Sequence, residues 1–110
     1  MVGIERRRFM RVPFYASVKV TLSSSGPTIE ASSFDISLGG VGLIGTPAPG
    51  VGQVVRMEFS VVVRPGVVTV ETVIGQVMHV RDIGATAFGI EFLDLLDDRT
   101  PVLLGKVMAL

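Results

Sequence analysis

A chain of 110 residues, 48% apolar and 18% charged, has room for one domain with a hydrophobic core and too little polarity for disorder. Ten basic residues balance ten acidic ones, so no extended basic face can be built for DNA or RNA. The absence of cysteine excludes disulfides and thiolate metal sites, and the single histidine, His79, leaves an imidazole-based metal site without partners.

The chain opens on Met1-Val2-Gly3-Ile4-Glu5 and runs into Arg6-Arg7-Arg8-Phe9-Met10-Arg11 with no apolar stretch between, so no signal peptide is expected. No apolar run is long enough to span a membrane, and the default expectation is a cytoplasmic protein. Residues 1–12 read as a flexible arginine-rich arm, and residues 13–110 as a single domain. Val12-Pro13 favours extended backbone, because the residue before proline is pushed away from the helical region. From Ala16 to Leu22, Ala16, Val18, Val20 and Leu22 alternate with Ser17, Lys19 and Thr21, which predicts a half-buried strand.

Ser23-Ser24-Ser25-Gly26-Pro27 is a turn signal. A second strand, Thr28 to Ile36, delivers Asp35 to its end, and a third covers Val41 to Ile44. Between them lies Asp35-Ile36-Ser37-Leu38-Gly39-Gly40. Asp35 and Ser37, two apart, leave the same face of an extended backbone, and the glycines permit close approach of a ligand. The same run also describes an ordinary tight turn. After the Pro/Gly-rich loop Thr46 to Gly52, the stretch Gln53 to Val62 alternates, with Val55, Met57, Phe59 and Val61 on one face. Arg64-Pro65-Gly66 predicts a hairpin turn. Val67 to Val80 is a long β-branched strand in which Gly75 suggests a bulge or bend. Ala87 to Leu93 is the last strand, with Phe88, Ile90 and Phe92 on one face. Thr100-Pro101 then reads as a helix N-cap followed by proline in the first turn, with Leu103, Leu104, Val107 and Met108 on one side. Six strands and one short C-terminal helix make an all-β fold, an antiparallel barrel or a closed sandwich.

The two polar stretches together resemble the PilZ domain family, whose members carry RxxxR near the N-terminus and [D/N]xSxxG some twenty or more residues later. Here these are Arg7-Arg8-Phe9-Met10-Arg11 and Asp35-Ile36-Ser37-Leu38-Gly39-Gly40. Phe88-Gly89-Ile90-Glu91-Phe92 is similar to the strand that closes the family's barrel. The resemblance covers nearly the whole chain and implies a six-stranded antiparallel β-barrel with a C-terminal helix. It further implies binding of cyclic di-GMP, with no other cofactor.

On that resemblance Arg7, Arg8 and Arg11 hold phosphates and guanine edges, as the planar guanidinium fork suits both. Asp35 accepts from guanine N–H groups, Ser37 adds a hydroxyl, and Gly39 and Gly40 allow close backbone approach. An arginine at position 6 is associated in the family with two intercalated copies of the ligand. His79 stands where some members place a tryptophan against a guanine; a half-buried strand residue is the plainer alternative. No nucleophile–base set can be assembled, so the expectation is a receptor acting on an unidentified downstream protein, not an enzyme. Two other classes remain: a family member that serves only as a protein–protein module, and a small barrel binding single-stranded nucleic acid, which the lack of tryptophan and the single Tyr15 disfavour. The apolar side of the C-terminal helix is expected against its own barrel or against a second copy in a homodimer.

Overall fold

The computed structural model describes residues 9–22 and 26–108. Residues 1–8 of the predicted flexible arm, with Arg6, Arg7 and Arg8, therefore lie outside the described residues, as does most of the first turn; Phe9 to Val12 are described.

Among the described residues seven strands are arranged in one sheet: β1 (Val12–Pro13), β2 (Ser17–Thr21), β3 (Thr28–Ile36), β4 (Gly40–Gly45), β5 (Val54–Arg64), β6 (Val67–Asp82) and β7 (Thr86–Phe92). Their order is β1-β3-β2-β5-β6-β7-β4, and a further pairing of β3 with β4 closes the sheet. All pairings are antiparallel, and the closed unit is a six-stranded barrel, which decides between the barrel and the sandwich. The extra strand β1 lies on the same edge of β3 as β2, since β4 occupies the other edge. β1 and β2 are thus two pieces of one barrel edge, separated by Phe14-Tyr15-Ala16.

Ser33 closes that gap. Its hydroxyl donates to the Phe14 carbonyl at 2.8 Å and accepts from the Ala16 N–H at 2.9 Å. It is 3% exposed, so two backbone groups next to the core are satisfied by one buried side chain.

The core follows from alternation. Val18 and Val20 of β2, Val55, Met57, Phe59 and Val61 of β5, and Phe88, Ile90 and Phe92 of β7 all point inward and are buried. Two bulges shift this phase. In β3 the register slips between Ser33 and Asp35, so inward positions pass from Ile29, Ala31 and Ser33 to Ile36, and Phe34 and Asp35 are both left partly exposed. In β6 the slip falls between Val77 and His79, and Met78 and His79 both turn outward. Gly75 is not the bulge that its sequence position suggested. It sits in unbroken register with Val55 and Phe92, and its side is crowded: a Cβ there would lie 2.8 Å from the Glu91 carbonyl and 3.1 Å from Met57 Cε. Pro65-Gly66 forms the β5–β6 turn, with Gly66 at φ +77, which a side chain would disfavour.

The helix α1 (Pro101–Met108) packs on its own barrel through Leu103 and Val107, both buried. Leu104 is half-buried, and Met108, expected on the same side, is 63% exposed. Thr100 takes the N-cap position, its carbonyl accepting the first helical bond from Leu104 at 2.9 Å. Its hydroxyl does not cap the helix and instead approaches the Asp97 carbonyl at 3.5 Å. The cap comes from β6: Glu71 accepts from the N–H groups of Val102 and Leu103 at 2.9 and 2.8 Å, one carboxylate oxygen each. No helix among the described residues is long and apolar enough to cross a membrane.

Candidate functional site

The barrel end carrying both bulges and the β3–β4 turn bounds an open cavity of about 680 Å³. That volume lies within the range of about 300–1,000 Å³ usual for small-molecule sites. Five of the residues singled out in the sequence line it: Arg11, Ser37, Gly39, Gly40 and His79.

Arg11 enters from the chain just before β1. Its guanidinium Nη1 donates to Asp35 Oδ1 at 2.9 Å, and the same oxygen accepts from the Gly42 N–H at 3.0 Å. A Cβ at Gly42 would stand 2.7 Å from that oxygen, so the missing side chain is what lets the Asp35 carboxylate reach the β4 backbone. The β3 bulge holds Asp35 partly exposed. It flanks the cavity through Arg11 and is not itself part of the lining.

β3 ends at Ile36, and Ser37 begins the turn. The Ser37 N–H donates to the Gly40 carbonyl at 2.8 Å, and its hydroxyl accepts from the Gly39 N–H at 3.2 Å. The side chain is buried, so the extended geometry that put Asp35 and Ser37 on one face does not continue through Ser37. The two glycines serve their neighbours: the Phe9 ring lies against Gly39, 3.1 Å from where a Cβ would be, and the Ile90 carbonyl lies 2.6 Å from the corresponding point on Gly40. Leu38 and Gly39 carbonyls accept from the N–H groups of Leu96 and Phe92 at 2.9 and 2.8 Å, tying the turn to the chain leaving β7.

His79 is exposed and pairs across the ladder with Gly89 of β7. Its imidazole occupies the space a Gly89 side chain would fill, Nε2 lying 2.5 Å from the ideal Cβ position. The ring is seated on the strand and not buried in the core. Phe9, Met78, Gly89, Glu91, Leu93 and Leu95 complete most of the wall and are not among the site residues expected from the sequence. Phe9, an aromatic set among arginines, was the one with a local signal. The others are brought in by strand register and by the bulge at Met78. Arg6, Arg7 and Arg8 lie outside the described residues. Among the described residues no group of three or more potential metal ligands exists.

This arrangement offers a forked cation, apolar walls, an exposed imidazole face and a carboxylate around one cavity, which suits a ligand with both phosphates and aromatic bases.

The PilZ domain model matches residues 5–106 of the chain. No protein of curated function matches it. Among solved structures, the inhibitor of motility MotI/DgrA of Bacillus subtilis superposes with a TM-score of 0.73 at 15% identity, over 94% of this chain and 50% of that one. The chain thus spans half the length of the Bacillus protein. The PilZ domain of YcgR from Escherichia coli, solved with c-di-GMP, gives a TM-score of 0.72 at 18% identity, over 96% of this chain and 91% of that one. With the match running from the arginine arm through the barrel and into α1, the chain belongs to the PilZ domain family.

Proposed function

We propose that this chain is a cytoplasmic receptor for cyclic di-GMP, with no catalytic activity of its own. The observation that carries the reading is the convergence of Arg11, Ser37, Gly39, Gly40 and His79 on one cavity from segments far apart in sequence. Support also comes from the family, and from the E. coli relative of similar fold solved with c-di-GMP.

In this reading Arg7, Arg8 and Arg11 hold the phosphates and the outer edges of the guanines. Asp35 offers its second carboxylate oxygen, Ser37 and the Gly39–Gly40 backbone form the floor, and His79 stacks on a base. Arg6 adds the cation that a second, intercalated ligand copy needs, so two ligands bind per chain. Residues 1–12 act as an arm that closes over the barrel end once ligand phosphates relieve the repulsion among its arginines. The surface formed in this way is read by a downstream protein.

The test is calorimetric titration of cyclic di-GMP into the wild-type chain and an Arg7→Ala/Arg11→Ala variant. Saturable binding near two ligands per chain, lost in the variant, is expected. A ratio near one removes the role given to Arg6. No binding at any workable concentration sinks the receptor reading and favours a protein-interaction module.

A further inference from the structure

Glu91, exposed on β7, lines the cavity. β7 runs in regular register against β4 through Gly89, Ile90 and Glu91, so Gly89 and Glu91 leave the strand by the same outer face, about 7 Å apart along it. The His79 imidazole lies on Gly89. The Glu91 side chain therefore rises one step along the strand from the only imidazole in the chain.

Nothing among the described residues bonds the Glu91 carboxylate. Its cross-strand neighbours are Gly40, which has no side chain, and Gln76, whose amide donates instead to the Gly52 carbonyl at 3.0 Å. Arg11, the arginine of the cavity wall, is engaged with Asp35. A carboxylate with no partner among the described residues repels phosphate, so its presence in a cavity for a doubly anionic ligand is unfavourable unless the ligand brings donors to it.

Guanine brings them. Its N1–H and N2–H groups form two adjacent donors that match the two oxygens of a carboxylate, and bonds to an ionised acceptor are the strong ones. Adenine places an acceptor at the corresponding ring nitrogen and would leave the carboxylate unsatisfied. A base lying on His79 can turn this edge along β7 toward Glu91. We infer that Glu91 is a second guanine-reading carboxylate beside Asp35, a role that rests on the receptor reading and goes beyond it by assigning base selection to β7 as well.

The experiment titrates cyclic di-GMP, cyclic di-AMP and the inosine analogue cyclic di-IMP, which lacks the N2 amine, into the wild-type chain and Glu91→Gln. Glu30→Gln, on the exposed face of β3, serves as the charge control. The wild-type chain is expected to prefer cyclic di-GMP over cyclic di-IMP by about tenfold, and over cyclic di-AMP by more. Glu91→Gln should weaken cyclic di-GMP by about ten- to a hundredfold and shrink the gap to cyclic di-IMP, while Glu30→Gln leaves both unchanged. The direction is decisive, because removing a negative charge near an anionic ligand tightens binding unless that charge holds a donor. Glu91→Gln that binds cyclic di-GMP as well as or better than the wild type, with selectivity intact, overturns the inference and leaves the receptor reading standing. A wild-type chain that binds no cyclic di-GMP overturns both.

Discussion

Arg11 and Asp35, 24 residues apart, share a 2.9 Å ion pair that joins the arginine motif to the aspartate–serine–glycine motif. The two partners are not equivalent. The Arg11 side chain is 52% exposed and gives Asp35 its one side-chain bond among the described residues, whereas Asp35 is 25% exposed and also satisfies the Gly42 N–H at 3.0 Å.

This asymmetry predicts unequal costs for stability. Arg11→Ala removes a largely solvated pair and should change unfolding free energy by less than about 1 kcal/mol. Asp35→Ala also strands a part-buried backbone donor and should cost about 1–3 kcal/mol. Urea unfolding of both variants without ligand checks this. Equal costs would mean that the ion pair, and not the Gly42 bond, is what holds the motif in place.

Glu71 caps α1 from 31 and 32 residues away. Both of its oxygens hold N–H groups of the first turn of α1, and the residue is 7% exposed. Glu71→Ala leaves the N–H groups of Val102 and Leu103 without their acceptor, and burial of Leu103 and Val107 depends on the helix staying docked. The expected loss is about 2–4 kcal/mol, with Glu71→Gln recovering part of it, since an amide oxygen can still accept one of the bonds. Hydrogen exchange supplies the local readout: amides 102 and 103 should lose protection first, while β5 amides keep theirs until global unfolding.

Asp97 predicts a pH effect confined to the acid side. Arg99 Nε donates to both of its carboxylate oxygens at 3.0 Å, and the Arg99 backbone N–H donates to Oδ1 at 2.9 Å. The side-chain bond first, and then the backbone bond, hold the Asp97 carboxyl below its ordinary value. A depressed carboxyl contributes stability above its unfolded value, and that contribution is lost as pH falls through the folded one, here below about pH 4. An NMR titration should find Asp97 ionising at lower pH than an unpaired aspartate. Arg99→Ala should move it back upward, and a midpoint that does not move would remove Arg99 as the cause.

The strands were legible because a barrel buries one face of each, and a buried face writes period two into the sequence. β2, β5 and β7 read directly from their valines and phenylalanines. The β3 bulge leaves only a faint trace in the sequence: apolar or small residues at 29, 31 and 33 followed by Ile36 are out of phase unless one residue is extra. Glu71 could not be read as a cap, since its partners lie 31 and 32 residues away and nothing local marks it. The site divides in the same way. Arg11, Asp35, Ser37 and the glycines were visible as motifs, whereas Gly89 and Glu91 join the cavity only through the register of β7 against β6 and β4.

Gly40 and Gly89 line the same cavity, yet they should respond differently to alanine. At Gly40 the added Cβ would meet the Ile90 carbonyl at 2.6 Å, which is paired-strand backbone and cannot swing aside. Gly40→Ala should therefore push β4 from β7 and cost about 1–3 kcal/mol of stability, with or without ligand. At Gly89 the three atoms nearest the Cβ all belong to the imidazole of His79, an exposed side chain that can rotate away. Gly89→Ala should cost less than about 1 kcal/mol of stability but unseat the ring, lowering affinity for cyclic di-GMP by the same factor as His79→Ala. Parallel urea unfolding and ligand titration of the three variants separates the cases. If Gly89→Ala binds as tightly as wild type while His79→Ala does not, the ring acts from a position other than its seat on β7; if neither variant weakens binding, His79 is only a strand residue beside the cavity.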